Sequence, residues 1–495
     1  MQEYLKKIDE VIANGKFKDN WESLQQYEAP KWYCDAKFGI FMHWGVFTVP
    51  AYNNEWYSRN MYIEGSDEYK HHIETYGPHK DFGYKDFVPM YKAEKFNPEE
   101  WSDLFKRAGA QYIVPVAEHH DGFQMYDSEL SDWNAAKKGP KRNMLKELME
   151  ACNKKGMVTG ASNHRVEHWW FMGPGRNFDS DIKDPLKRGD LYWPSVYAKE
   201  IEEEWHLLHT NPGPNQEFME DWLCRVCELV DKYRPKVIYF DWFIQHENVK
   251  PYLKKFAAYY YNRAIEWGEE VVITYKHDGF AFGTAVLDVE RGQLKDAKPY
   301  IWQTDTAVAK NSWCYTPMNE YKTSTQIIQD LVDIVSKNGR LLLNIGPKSD
   351  GTIPPEDTRI LEEIGEWLKV NGEAIYGSKV WRTAAEGPTI INEGQFGDSE
   401  ARGYTSEDIR FTVNGSAVYA TCLNMKGKDT VSIKSLREMS EDEALSKPLF
   451  HGIVRKVEVL GIDDNPEFSR DNESLTIKTK MIETDNPVVF KITVD

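Results

Sequence analysis

Asp241 closes the run Lys236-Val237-Ile238-Tyr239-Phe240-Asp241-Trp242 as a lone carboxylate between aromatic residues. The apolar part reads as a buried strand, and a carboxylate taken out of water is costly unless it is paired or hydrogen-bonded. Two roles suit it. Aspartate caps helices well, and residues 248–251 could soon open one; alternatively, at the end of a strand in a parallel barrel it faces the catalytic mouth. A second acid, Glu290, lies in Leu287-Asp288-Val289-Glu290-Arg291-Gly292, in a loop expected after a strand at 271–275. Beside Arg291 it reads as a surface ion pair, but on the same rim as Asp241 it makes a pair of acids. One nucleophilic and one protonated carboxylate are what a retaining glycosidase needs. Glu167, Asp278 and Asp288 are the reserve candidates for the proton donor.

The other expected strand ends are polar or aromatic as well. They carry His43 and Trp44, then His119 and His120, Asn163 and His164, Trp242, Lys276 with His277, and Trp302 with Gln303. Imidazoles, amides and a carboxylate on one rim suit a small molecule rich in hydroxyls. His43, His119, His120 and Asp241 could instead ligate a metal. Adjacent histidines on a strand point to opposite faces, however, and no H-x-H or H-E-x-x-H spacing occurs, so no metal is expected. The chain also holds 17 Trp and 27 Tyr, whose flat faces and hydrogen-bonding edges fit sugar rings.

Positioning such a rim requires alternating strands and helices. Short apolar runs at 38–43, 112–118, 157–162, 237–241, 271–275, 300–303 and 341–345 alternate with helical patterns at 101–108, 144–155, 217–233, 252–267, 323–338 and 355–371. This texture predicts a parallel α/β architecture, best closed as a (β/α)8-like barrel whose remaining unit falls within 44–100. Beyond 371 short alternating segments separated by Gly, Asn and Asp turns predict an antiparallel β-sandwich. The expected domains are 1–378 and 379–495.

Composition narrows the partners. A net charge of −18 and a pI near 5.3 argue against a phosphate-backbone partner, since no basic surface would release counterions. No apolar run reaches the ~18 residues of a membrane span, and the N-terminus lacks the apolar stretch of a signal peptide. A cytoplasmic location is therefore expected. Of six scattered cysteines, Cys224 and Cys227 share one apolar helix face and are expected to pack in the core.

Several longer motifs are more specific. Lys37-Phe-Gly-Ile-Phe-Met-His-Trp-Gly-Val-Phe, Asn54-Glu-Trp-Tyr, Phe96-Asn-Pro-Glu-Glu-Trp, Glu118-His-His-Asp-Gly-Phe, Asn311-Ser-Trp and Leu341-Leu-Leu-Asn-Ile-Gly-Pro-Lys-Ser-Asp-Gly occur in this order. Together they resemble the α-L-fucosidases of glycoside hydrolase family 29, over roughly residues 20–495. The resemblance implies a catalytic barrel, a C-terminal β-sandwich, retaining hydrolysis of a fucosylated oligosaccharide or glycoside, and no metal or other cofactor. Asp241 falls at the family's nucleophile, and His43, Glu55, Trp56, His119 and His120 match motifs that hold the sugar hydroxyls. Glu290 is the expected acid/base. Asn163, His164, Trp242, Lys276, Trp302 and Trp313 are the further expected sugar contacts. Departures fall around the sugar: Asn163-His164 replaces a tyrosine-rich run, Lys276 stands where an arginine is usual, Trp242 replaces glycine, and Cys314 replaces another glycine. They leave room for another L-sugar such as L-galactose, or for a non-catalytic carbohydrate-binding homologue.

Overall fold

The computed structural model describes residues 1–398, 402–463 and 465–495. Eight parallel strands close on themselves: β1 (Phe38–Met42), β2 (Tyr112–Glu118), β3 (Val158–Thr159, continued after Gly160 by Ala161–Asn163), β4 (Val237–Phe240), β5 (Val272–Tyr275), β6 (Val286–Glu290), β7 (Trp302–Ala307) and β8 (Gly339–Ile345). β8 pairs with β1, and β1 with β2, which completes the ring. Helices α1 (Pro98–Arg107), α2 (Met144–Lys154), α3 (Gln216–Tyr233), α4 (Lys250–Trp267), α5 (Ser324–Ser336) and α6 (Pro355–Asn371) lie outside the barrel.

The eighth strand is not within 44–100, which forms turns and short helices. It is Val286–Glu290, and the reason it reads as a loop is physical. In a barrel strand alternate residues face inward; here the inward positions are Val286, Asp288 and Glu290, while Leu287 and Val289 pack outward on the apolar layer. Polar residues inside the barrel disguise the strand. Trp302 is a second correction. The strand expected to end near it begins there instead, so Trp302 lies at the opposite end from the mouth. It is fully buried in the outer core, with Nε1 donating to the Lys337 carbonyl 3.0 Å away.

β5, β6 and β7 are joined without helices, through 276–285 and 291–301. The outer layer is therefore incomplete on that side. Beyond α6, strands β9 (Lys379–Glu386), β10 (Ile409–Asn414), β11 (Ala417–Cys422), β12 (Thr430–Ile433), β13 (Val454–Val459), β14 (Glu467–Arg470), β15 (Leu475–Lys478) and β16 (Val488–Val494) form two antiparallel sheets. Their orders are β9-β10-β11-β16-β13 and β12-β15-β14, around a separate apolar core that includes Phe411, Ile433, Leu475 and Phe490. Cys224 and Cys227 are buried on α3. No helix among the described residues is long and apolar enough to cross a membrane.

A buried ionic cluster fixes the site's supports. Glu118, at the end of β2, accepts from Arg165 and Arg225, each at 3.0 Å. Asp221 on α3 accepts from the same two arginines at 3.0 and 2.8 Å. This ties the chain just before His119 and just after His164 to one helix. Removing one partner of such a cluster strands buried charge, so Arg225→Ala should cost about 3–5 kcal/mol, read as a lowered urea midpoint; an unchanged midpoint would contradict this account.

Candidate active site

The inward parity of the strands carries straight to the mouth. Phe41, Tyr239 and Val286 line the barrel interior, and one more step of two residues gives His43, Asp241 and Asp288, with Glu290 another step beyond. A cavity of about 470 Å³ opens there. Its walls include His43, Glu55, Trp56, His119, His120, Asp241, Trp242, Glu290 and Trp313.

Asp241 Oδ2 accepts from His164 Nδ1 at 2.8 Å and lies 3.5 Å from His120 Nε2. Burial alone would raise its carboxyl, but His164, then His120 and Lys276, outweigh burial and hold it below the ordinary carboxylate range. Asp241 is an anion. Glu290 shows the opposite balance: burial first, with the charges of Asp305 and Asp241 added, pushes it up to about 7 against the pull of Lys276 and the Trp242 hydrogen bond. Trp242 Nε1 donates to Glu290 Oε2, and Lys276 Nζ stands 3.6 Å from the same oxygen. The ion-pair reading of Glu290 with Arg291 does not hold. Arg291 turns away, donating to the carbonyls of Ala309, Lys310 and Ser312, with its guanidinium 4.5 Å from the Trp313 ring centroid.

Lys276 is fully buried and does not itself line the cavity; it lies beneath the wall residues Glu290 and Asp305. Its ammonium bonds to Asp288 and Asp305, and these acids hold its pKa above the usual lysine range despite burial. It serves as a fixed cation beneath the site rather than as a contact to sugar. Asn163 also departs from expectation: its Oδ1 accepts from Trp222 Nε1 on α3 at 3.1 Å, and it does not line the cavity. His164 lies behind Asp241, its other ring nitrogen 2.9 Å from Ser162 Oγ.

The chain turns directly after β2, where Gly122 has φ +76°, and the ladder between β2 and β3 shifts between Val116 and Glu118. Both His119 and His120 thereby reach the cavity, with ring centroids 4.2 Å apart. Burial, followed by neighbouring imidazoles, drives His119 well below its usual pKa. Burial likewise lowers His43 and His120 to about 3. Uncharged imidazoles can both donate to and accept from hydroxyls. Glu55, buried on the cavity wall, accepts from the Trp313 backbone N–H at 3.0 Å.

Two triads have donor atoms within 4.8 Å of one another: His43, His119 and His164, and His120, His164 and Asp241. Either could gather around a cation, but His164 has both ring nitrogens engaged, and His43 Nδ1 lies 2.8 Å from Asn344 Oδ1. A metal would have to break these bonds. Prolonged EDTA treatment should therefore leave turnover unchanged; loss of activity that zinc or manganese restores would assign these triads to a metal.

Sequence reasoning missed several wall residues. Tyr239, two residues before Asp241 on the same face, was signalled by parity; its hydroxyl donates to Asp305 at 2.8 Å. Of the reserve proton donors, Glu167 does line the cavity, with Oε2 unpartnered and 3.4 Å from His120 Nδ1; burial, then the charges of Asp241 and Glu290, raises it well above the carboxylate range. Asp288 lies below with Lys276, and Asp278 is not on the wall. Trp205 and His206 come from a long connection, and Phe396 from beyond the barrel; nothing local in the sequence marks them.

A model of the family described as alpha-L-fucosidase matches residues 4–373. The tissue alpha-L-fucosidase of Rattus norvegicus is 32% identical over 438 residues, covering 86% of this chain and 82% of the relative. The human tissue alpha-L-fucosidase is 31% identical over 432 residues, covering 85% and 81%. Among solved structures, the Thermotoga maritima alpha-fucosidase in complex with fucose superposes with a TM-score of 0.73 at 28% identity, covering 96% of this chain and all of that one.

Proposed function

We propose a double-displacement mechanism for this chain, which belongs to the alpha-L-fucosidase family and is a glycoside hydrolase of that kind. Asp241 attacks the anomeric carbon of an α-linked L-fucose while Glu290 donates its proton to the departing oxygen. Water then cleaves the fucosyl-aspartate ester, with Glu290 as the base. The observation that carries this reading is the opposite displacement of two of the cavity's carboxylates, Asp241 downward and Glu290, held by Trp242 and Lys276, up to about 7. Environments that push two acids apart separate a nucleophile from an acid. His43, His119, His120 and Glu55 surround the space where the ring hydroxyls would lie, and Trp56 and Trp313 supply flat walls.

Proton NMR of the first-formed sugar tests the mechanism. Net retention should appear as α-L-fucose before mutarotation, and initial release of the β-anomer would end the double-displacement reading. The same assay run on aryl α-L-fucoside, α-L-galactoside, α-L-glucoside and α-L-rhamnoside tests the sugar. The fucoside should be the best substrate, and a faster galactoside would reassign the natural glycone.

A further inference from the structure

The open side of the barrel, where β5, β6 and β7 lack connecting helices, is covered by a segment that follows β9 of the second domain. Ile391 is buried among barrel residues at one end of that segment. At the other, Asp398 accepts from Lys322 Nζ at 2.6 Å and from the Thr306 hydroxyl. Between these anchors, Gln293 and Gly394 exchange both backbone hydrogen bonds, at 3.2 and 3.1 Å. Gly397 N donates to the Arg291 carbonyl at 2.8 Å, and Phe396 N to that of Glu290 at 2.9 Å. The approach is close: a Cβ on Gly292 would fall 1.9 Å from the Gly394 carbonyl oxygen.

Phe396 is held at φ +59°, a conformation uncommon for a side chain of this size. Its ring lies on the cavity wall yet is 60% exposed. It is nearly parallel to Trp242, at 18° and 6.2 Å between centroids. Trp242 in turn meets His277 at 5.3 Å and Trp205 at 6.3 Å. A sugar cannot slip between Phe396 and Trp242, because two carbon contacts would need a spacing of ~7 Å. The rings instead form one apolar wall. Both are tied to Glu290, Trp242 through the carboxylate and Phe396 through the backbone carbonyl.

We infer that Phe396, delivered by the second domain, and Trp242 form the subsite for the sugar that fucose leaves behind, a hexopyranose whose C–H face rests on these rings. This rests on the assignment of Glu290 as proton donor, because the departing oxygen must lie beside that carboxylate and the ring bearing it beside the wall. Phe396 then governs selectivity for the leaving sugar.

The test compares kcat/KM on two substrates. One is whichever fucosyl-hexose disaccharide the wild type cleaves fastest among the α1,2, α1,3, α1,4 and α1,6 isomers. The other is α-L-fucosyl fluoride, whose leaving group has no ring to stack. Phe396→Ala should lower the disaccharide-to-fluoride ratio roughly tenfold, about what one aromatic contact contributes. Phe396→Trp should retain the ratio, and Gly292→Ala, which pushes the segment away without touching Phe396, should lower it. An unchanged ratio in Phe396→Ala, or an equal fall on both substrates, would overturn the subsite. Failure of the wild type to hydrolyse fucosyl fluoride would instead count against the glycosidase reading and leave this result separable from it.

Discussion

Asp241→Gly should lower turnover of an aryl α-L-fucoside by roughly 10⁴-fold or more, the scale on which loss of a catalytic nucleophile is felt. The carboxylate sits at the barrel mouth, where His164 and His120 face it. Removing it leaves a small gap beside two buried imidazoles, so folding should survive, as circular dichroism and the melting temperature would report. Azide or formate should enter the gap and restore part of the rate on the activated substrate, giving a fucosyl azide of inverted configuration when azide is the nucleophile. Asp241→Asn keeps the volume without the charge and should be equally slow without responding to azide. Near-wild-type turnover in Asp241→Asn would remove the nucleophile from its assigned position.

Glu290→Ala should divide substrates by their leaving group. A good leaving group departs without protonation, whereas a sugar alcohol needs a proton. The variant should retain most of its first-step rate on a dinitrophenyl fucoside, measured as a burst, and lose roughly 10²–10⁴-fold on a fucosyl disaccharide. The wild-type pH profile follows from the two shifts. Glu290 must be protonated to act and is pushed up to about 7, so kcat/KM falls as pH rises through about 7. Asp241 must be ionised and is held below the usual range, so the acid limb lies beneath ordinary carboxylate values. Glu290→Gln should abolish the basic limb. A limb that persists there would transfer the proton donor to Glu167, another raised carboxyl on the wall.

Much of this was legible in the sequence. Asp241 was visible because an apolar strand ended in an acid, and His43, His119 and His120 because they sat in motifs at strand ends. Glu290 reads as an acid on the right rim but in a loop, since Asp288 and Glu290 interrupt the apolar pattern of β6 on its inward face. The same inward polarity hides Asp305, two residues beyond Gln303. Trp302 reads as a mouth residue because an aromatic residue next to a polar one looks alike at either end of a strand, and only the register of β7 against β8 tells them apart. Lys276 reads as a sugar contact in the sequence, where a strand-end side chain that reaches the mouth cannot be told from one that ends beneath it. Phe396 cannot be read from the sequence at all: its place depends on a contact between the barrel and a segment beyond β9, and nothing in Gln395-Phe396-Gly397 encodes that contact locally.

The charges around Lys276 also set a sequence in time. Burial raises Glu290 first, and two anions, Asp305 and Asp241, add to it; of these only Asp305 is permanent. In the proposed double displacement, once Asp241 has become a neutral sugar ester, its share of the repulsion is gone, while the buried ammonium remains in place. Glu290 should then hold its proton less tightly, so that the carboxyl which donated in the first half of the turnover can accept in the second. The enzyme needs no moving part for this change of role, because the substrate erases one of the charges that had kept Glu290 neutral. Titration of ¹³C-labelled Glu290 by NMR, before and after trapping with a 2-deoxy-2-fluoro-fucosyl donor, should show its pKa falling on ester formation. An unchanged value would mean that the two carboxylates do not sense each other.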